Sequence, residues 1–478
     1  MLLRQIYDED LAHAAWLIGC QRTGEAIVFD PARDIDRYVE LAEAHALRIT
    51  AVAETHVHAD FLSGAQALAE AVNATVYLSG HGGDSWTARW VGTHAHVMLR
   101  HGDTFRIGGI EFTARHTPGH TPEHLSYVVT DIGGGANEPF GMLSGDFVFV
   151  GDLGRPDLLE RAAGQEGVMV RSARELAGST RAFLELPDYM QVLPAHGSGS
   201  ACGKALGAIP QSTVGYERRF NTAIGLIGDE DRFVDSILEG QPAPPLYFAR
   251  MKAQNRDGVP PLNRLPEPEE CTPETLADDG RTIIDLRGWT DFREGHLPGA
   301  LWSRTGPFFC ASVGSYVEPD ERLALICEPK DLERLTRCLV RIGLDRLEAW
   351  CSTESFEEVR KRSGLETSMI EDVSLDDLGT HLESGTAILD VRRTDEYQAG
   401  HLPGAINIPH TRLLEHLEMV PATNEPFLVH CQAGVRSAAA CSILARKGFE
   451  VRNIPAGWGG IRETSLPKTS PDVKTEVV

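Results

Sequence analysis

Four short stretches of this chain carry side chains able to hold a metal. His56-Val57-His58-Ala59-Asp60-Phe61 follows the apolar run Ile49-Thr50-Ala51-Val52-Ala53, which puts His56 just past the end of a strand. His120 lies in His116-Thr117-Pro118-Gly119-His120-Thr121-Pro122-Glu123-His124, where a Pro-Gly turn can aim a side chain back at the first loop. Asp146 closes Met142-Leu143-Ser144-Gly145-Asp146, and His196 sits in Leu193-Pro194-Ala195-His196-Gly197. The C-terminal ends of strands are where open α/β sheets place their sites. Two histidines and one carboxylate on one face of a metal make the facial triad of non-haem iron oxygenases, with positions left for substrate and O₂. Phe61 offers no lone pair, so the first loop suits one metal and oxygen chemistry better than two-zinc hydrolysis. His94, His96 and His101 have no comparable context and read as surface or packing residues.

A second chemistry is written in thiols. Cys431-Gln432-Ala433-Gly434-Val435-Arg436-Ser437 follows the apolar Phe427-Leu428-Val429-His430 and opens an Ala-rich helical run. A cysteine at such a strand-to-helix turn meets converging N–H groups and the positive end of a helix, and Arg436 adds a full charge; all favour the nucleophilic thiolate. Four residues separate Cys431 from Arg436, one fewer than in tyrosine-phosphatase-type loops. The smaller cradle, with Gly434 and Val435 at the substrate, suits a terminal sulfur rather than a phosphoryl group. Cys202 lies six residues after His196 in a glycine-rich loop, where Lys204 would favour its thiolate and a sulfur relay near the metal; a packed loop cysteine is an equal alternative.

Two motifs recur at one offset. Ile283-Ile284-Asp285-Leu286-Arg287 is echoed by Ile388-Leu389-Asp390-Val391-Arg392, and Gly295-His296-Leu297-Pro298-Gly299-Ala300 by Gly400-His401-Leu402-Pro403-Gly404-Ala405, 105 residues on. An internal repeat of this kind is strong grounds for duplicated domains. Each copy reads as a small α/β domain with a parallel sheet. The first copy is damaged at the thiol: Cys327 is followed by Glu328-Pro329-Lys330-Asp331, where Pro329 deletes an amide donor and the acids oppose a thiolate. Cys327 is therefore expected to be structural.

With 478 residues the chain is too long for one ordinary core, and its length suggests about three domains. The boundaries read as a metal-binding domain with a Pro-rich arm over 1–265, a degenerate repeat over 266–368, an intact repeat over 369–466 and a disordered tail over 467–478. A net charge of −24 argues against nucleic acid and anionic membranes as partners. No run approaches the roughly 18 apolar residues of a membrane span. Leu17-Ile18-Gly19-Cys20, behind the acidic Asp8-Glu9-Asp10, reads as a buried strand rather than a lipoprotein signal. Nine cysteines without framework spacing fit reduced thiols in a cytoplasm.

Here the residues resemble known families. Thr55-His56-Val57-His58-Ala59-Asp60, Thr117-Pro118-Gly119-His120-Thr121 and Gly145-Asp146 with Gly151-Asp152-Leu153-Gly154-Arg155-Pro156-Asp157 resemble the persulfide dioxygenase branch of the glyoxalase II-like metallo-β-lactamase superfamily. The Cys431 loop resembles that of a rhodanese, a sulfurtransferase whose matching cysteine carries a persulfide. The whole order is similar to the CstB-type fusions of bacterial sulfide detoxification. The resemblance implies an α/β fold: an αββα metallo-β-lactamase sandwich followed by two α/β rhodanese-like domains.

It also implies one Fe(2+) per chain on His56, His120 and Asp146, with His58, Asp60 and His196, matched to second-site ligands of dinuclear relatives, as near-site groups only. The implied substrates are O₂ and a low-molecular-weight thiol persulfide (of glutathione, coenzyme A, bacillithiol or similar). The implied products are sulfite and, through Cys431, thiosulfate, and the assembly a homo-oligomer. Two alternatives stand beside this reading: a two-zinc thioester hydrolase of glyoxalase II type with a rhodanese passenger, and a non-enzymatic persulfide-sensing scaffold.

Overall fold

The computed structural model describes residues 1–469 apart from 162–166, 205, 263, 279, 363 and 424. The chain divides into two units, Met1–Leu265 with Val340–Gly343, and Pro266–Leu339 with Leu344–Val478.

In the first unit, largely buried apolar strands build two six-stranded sheets. One runs in chain order through Leu2–Asp8, His13–Cys20, Glu25–Phe29, Arg48–Ala53, Thr75–Ser79 and His96–Leu99, antiparallel at first and parallel from Glu25–Phe29 onward. The other runs Ser212–Thr213, Gln191–Pro194, Gly141–Gly145, Leu125–Thr130, Ile110–His116 and Thr104–Ile107. Trp16, Ile27 and Phe29 from the first sheet meet Phe112, Tyr127 and Leu143 from the second in one dry cluster. The outer face of one sheet packs Tyr38, Leu68 and Ala69 from helices Asp36–Ala44 and Ala65–Val72. The other packs Leu176, Phe183 and Phe233 from Met169–Phe183 and Glu230–Leu238. That is the expected αββα sandwich. Strand His13–Cys20 is buried throughout, as the run Leu17–Cys20 suggested.

The second unit holds two five-stranded parallel sheets with the same strand order. The first is Glu269–Glu270, Leu347–Ser352, Leu323–Cys327, Thr282–Asp285, Leu301–Trp302, and the second Glu371–Asp372, Val451–Ile454, Phe427–His430, Ile388–Asp390, Ile406–Asn407. The repeated motifs do the same work in both. Arg287 grips Asp285 and donates to the Gly295 carbonyl, and Arg392 grips Asp390 and donates to the Gly400 carbonyl, all buried.

The expected disordered tail is partly corrected. Leu466 packs on the core of the second repeat, and Thr469 exchanges backbone hydrogen bonds with His401, so the pairing partner supplied by the repeat fixes this segment. Residues 470–478 of that expectation lie outside the described residues.

Candidate metal centre and thiol site

Three candidate histidine ligands each have their far nitrogen already committed. His56 Nδ1 meets the Thr55 hydroxyl at 2.9 Å, and that hydroxyl donates to Asp30 Oδ2, also at 2.9 Å. His120 Nδ1 meets the Arg155 carbonyl at 3.0 Å, and His196 Nδ1 the Ala12 carbonyl at 3.0 Å. Partners of this kind fix a tautomer and leave Nε2 to the metal. The three Nε2 atoms accordingly face Asp146, at 3.9 Å for His56, 3.4 Å for His120 and 3.5 Å for His196.

The donor set fits a cation. His56, His120 and Asp146 are fully buried and bring one ligand atom each within 4.8 Å of the others. Both Asp146 carboxylate oxygens lack a hydrogen-bond partner. A buried, unpartnered carboxylate is costly unless a positive charge faces it. Burial, helped by neighbouring imidazoles (His58 foremost), pushes His56 well below the usual histidine range, and burial lowers His120 against the pull of Asp146. Both rings are thus neutral with free lone pairs.

A second cluster abuts the first. Asp60, His196 and Cys202, all buried, also converge within 4.8 Å. His196 Nε2 lies 3.3 Å from Asp60 Oδ2, and neither Asp60 oxygen has a hydrogen-bond partner.

In the second unit, Cys431 is buried at the end of strand Phe427–His430. Gly434 caps helix Val435–Arg446 at φ +84°, and a β-carbon there would stand 2.4 Å from the Pro455 carbonyl oxygen, so only glycine lets the loop close. The Cys431 and Gln432 carbonyls accept from Trp458 N–H (2.6 Å) and Gly459 N–H (2.9 Å), and the Ser437 hydroxyl lies 3.5 Å from the Cys431 sulfur. In the first repeat, burial with Asp331 and Glu328 pushes the Cys327 thiol up to about 12.

A profile described as the metallo-beta-lactamase superfamily matches residues 8–196, and one described as a rhodanese-like domain matches 374–464. A crystallised metallo-beta-lactamase of Staphylococcus aureus subsp. aureus COL is 40% identical, covering 73% of this chain and 99% of its own, with a TM-score of 0.68. The chain belongs to the metallo-β-lactamase superfamily, fused to a rhodanese domain. The metallo-β-lactamase half is also 28% identical to a probable metallo-hydrolase of Burkholderia pseudomallei, over 56% of this chain and 96% of that one. It is 26% identical to the mitochondrial persulfide dioxygenase ETHE1 of Mus musculus, over 48% of this chain and 78% of that one.

Within this fusion two expectations need correction, those for Lys204 and Arg436. His58 stands near the candidate site as expected, its ring centroid 4.3 Å from that of His56, but it is turned to other partners than Asp60 and His196. Its Nε2 lies 2.9 Å from Glu54 and 3.2 Å from Asp30; burial alone would lower it, but the two acids outweigh burial and hold it well above the usual range, as an imidazolium. Phe61 lies against that ring, centroids 4.4 Å apart. Lys204 does not activate Cys202, because its ammonium caps the Ser236 and Glu239 carbonyls; burial, Asp60 and Asp146 instead push this thiol well up. Arg436 is not a free charge, since Glu396 takes both its terminal nitrogens, at 2.6 and 2.8 Å.

Other site residues escaped the sequence reading. His124 accepts the Asp146 N–H on Nε2, and Asn255, in helix Phe248–Asp257 of the Pro-rich arm, donates to the His58 and Phe61 carbonyls. His124 stood in a motif already noticed. Asn255 lies nearly 200 residues from the loop it holds, and nothing local marks it.

Proposed function

We propose that this fusion is a non-haem Fe(II) dioxygenase that oxidises low-molecular-weight thiol persulfides to sulfite, coupled to rhodanese sulfur transfer that yields thiosulfate. The observation that carries this reading is the face of His56, His120 and Asp146, two neutral imidazoles and an unpaired carboxylate, beside a His58 drawn off by acids and a Phe61 that cannot coordinate. The likeness to a persulfide dioxygenase supports it.

His56, His120 and Asp146 would hold the Fe(2+), which when bound supplies the redox chemistry that couples O₂ to sulfur. The balance is RSSH + O₂ + H₂O → RSH + SO₃²⁻ + 2H⁺. Asp30, through Thr55, and the Arg155 carbonyl keep His56 and His120 turned to the site. In the rhodanese domain, Cys431 takes a sulfane sulfur from a second persulfide. In Cys–S–S⁻ + SO₃²⁻ → Cys–S⁻ + S₂O₃²⁻ one S–S bond breaks as another forms, and the thiolate is regenerated. The nine cysteines are all unbridged, as a reducing cytoplasm would keep them, and no helix among the described residues is long and apolar enough to cross a membrane.

A second reading, a dinuclear hydrolase, draws on the convergence of Asp60, His196 and Cys202. Metal analysis of anaerobically purified protein, with O₂ uptake on a thiol persulfide, separates the two. We expect about one iron per chain and persulfide-dependent uptake, lost in His120→Ala and Asp146→Ala while thiosulfate:cyanide transfer survives. Two zinc ions with thioester hydrolysis and no uptake would overturn the dioxygenase.

A further inference from the structure

Arginine–carboxylate pairs in the second unit fall into two kinds. Asp285–Arg287 and Asp390–Arg392 recur at the same place in both repeats and belong to the shared scaffold. Arg436–Glu396 does not recur: with Cys327 matched to Cys431, the first repeat has Leu332 in place of Arg436 and Asp291 in place of Glu396. The pair therefore accompanies the intact thiol loop and not the fold.

Its placement is at the thiol. Arg436 lies in the first turn of helix Val435–Arg446, and the hydroxyl of the next residue, Ser437, lies 3.5 Å from the Cys431 sulfur. Glu396, in the short helix Thr394–Gln398, meets it bidentately, and one of its oxygens also accepts the Arg393 N–H at 3.1 Å. Both side chains keep about a fifth of their surface open, 21% for Arg436 and 20% for Glu396, so solvent and small anions reach the pair. His410 stands by the same two charges, neutral because burial and then Arg436 drive it down to about 3, and its buried Nε2 has no hydrogen-bond partner. A sulfur oxyanion at Cys431 would thus find a guanidinium already matched by a carboxylate. An ion pair this open to solvent is weak, so an entering anion can part it.

We propose that Glu396 is a displaceable counter-ion: a sulfur oxyanion that reaches Cys431 takes Arg436 away from it, so Glu396 sets the affinity for sulfite and thiosulfate. This rests on the sulfurtransferase reading above. Glu396 acts through Arg436 and is a positioning residue. A thiol persulfide carries less charge and owes Arg436 less, so Glu396 biases the cradle toward persulfide as sulfur donor and holds thiosulfate back.

Steady-state thiosulfate:cyanide transfer by the full chain tests this without the iron site. Cys431–S⁻ attacks the outer sulfur of thiosulfate, sulfite leaves with the electron pair of the broken S–S bond, and cyanide then removes the sulfur as thiocyanate. Glu396→Gln keeps an oxygen for the Arg393 N–H and removes the charge. KM for thiosulfate should fall about two- to fivefold, with kcat moving less, and inhibition by sulfite should tighten by the same factor. In an Arg436→Ala background the same substitution should change nothing. Glu396→Asp, which retains the charge but is too short for the bidentate pair, should lower KM less, and it serves if the Gln variant folds poorly. An unchanged or raised KM in folded Glu396→Gln, or a fall that persists without Arg436, overturns the proposal. Transfer that survives Cys431→Ser would instead defeat the sulfurtransferase reading itself.

Discussion

Strands Leu323–Cys327 and Phe427–His430 hold the same central place in two sheets of identical order, and each delivers a cysteine to the turn that follows. Beyond that point the copies part. In one, Pro329–Asp331 forms a tight turn with two carboxylates nearby, and the thiol is pushed up to about 12. In the other, Gly434 at φ +84° lets the chain fold round Cys431 before the helix starts. The scaffold tolerates both, because its own contacts, the buried Asp–Arg grips and the parallel ladders, lie beneath the turn and not in it. The fold of such a domain does not depend on the turn that holds its cysteine.

The comparison breaks most sharply at the thiols. Cys431→Ser should cut sulfur transfer by at least about a thousandfold, since no other atom of the loop is a nucleophile, and shift the product of persulfide oxidation from thiosulfate to sulfite. Cys327→Ser should leave the rate within about twofold. Chromatography of trapped thiols reads both, and equal losses would mean that the first turn is not inert.

The scaffold makes the opposite forecast of equality. Asp285→Ala and Asp390→Ala should each cost about 3–5 kcal/mol of stability, as expected when one partner of a buried ion pair is removed. Denaturant unfolding measures this, and a cheap loss in the first repeat would mean its fold has decayed with its chemistry.

A smaller effect sharpens the electrostatics. Glu328→Gln with Asp331→Asn should lower the Cys327 pKa, yet leave it above the ordinary thiol value of 9.0, because burial is the largest cause of its rise. The pH dependence of alkylation at Cys327, followed by peptide mass, gives the answer.

The smallest effect concerns acid stability. His410, whose offset partner is Thr305, takes a proton in the unfolded chain near 6.5 and in the folded chain only near 3. The unfolded state binds more protons across that window, so stability falls as pH drops through it. His410→Gln should flatten the fall, read as urea midpoints at pH 7 and pH 5.

The same molecule shows what a sequence discloses. The candidate ligands stand in short motifs near strand ends, so the residues themselves marked His56, His120, Asp146 and His196, the family resemblance chose the first three among them, and Phe61 was visible as a ligand lost. The duplicated scaffold was legible because both copies keep their Asp–Arg grip. What stayed hidden depends on partners far along the chain. His58 is withdrawn by Glu54 and by Asp30, whose proximity requires two strands to lie side by side. Glu396 lies 40 residues from Arg436. Lys204 was misjudged because nearness in sequence to Cys202 said nothing of the carbonyls that claim its ammonium.

Gly154 sets a different kind of limit. A β-carbon at this position would lie 1.7 Å from the Asp146 carbonyl oxygen and 3.2 Å from the His120 β-carbon. Two ligand-bearing segments are thus stacked with a single hydrogen atom's clearance between them. In a library randomised at codon 154, survivors selected for a loaded metal site should be glycine almost without exception, although the residue coordinates nothing. Attempts to transplant this centre into another scaffold must carry that bare stretch of main chain along with the three candidate ligands.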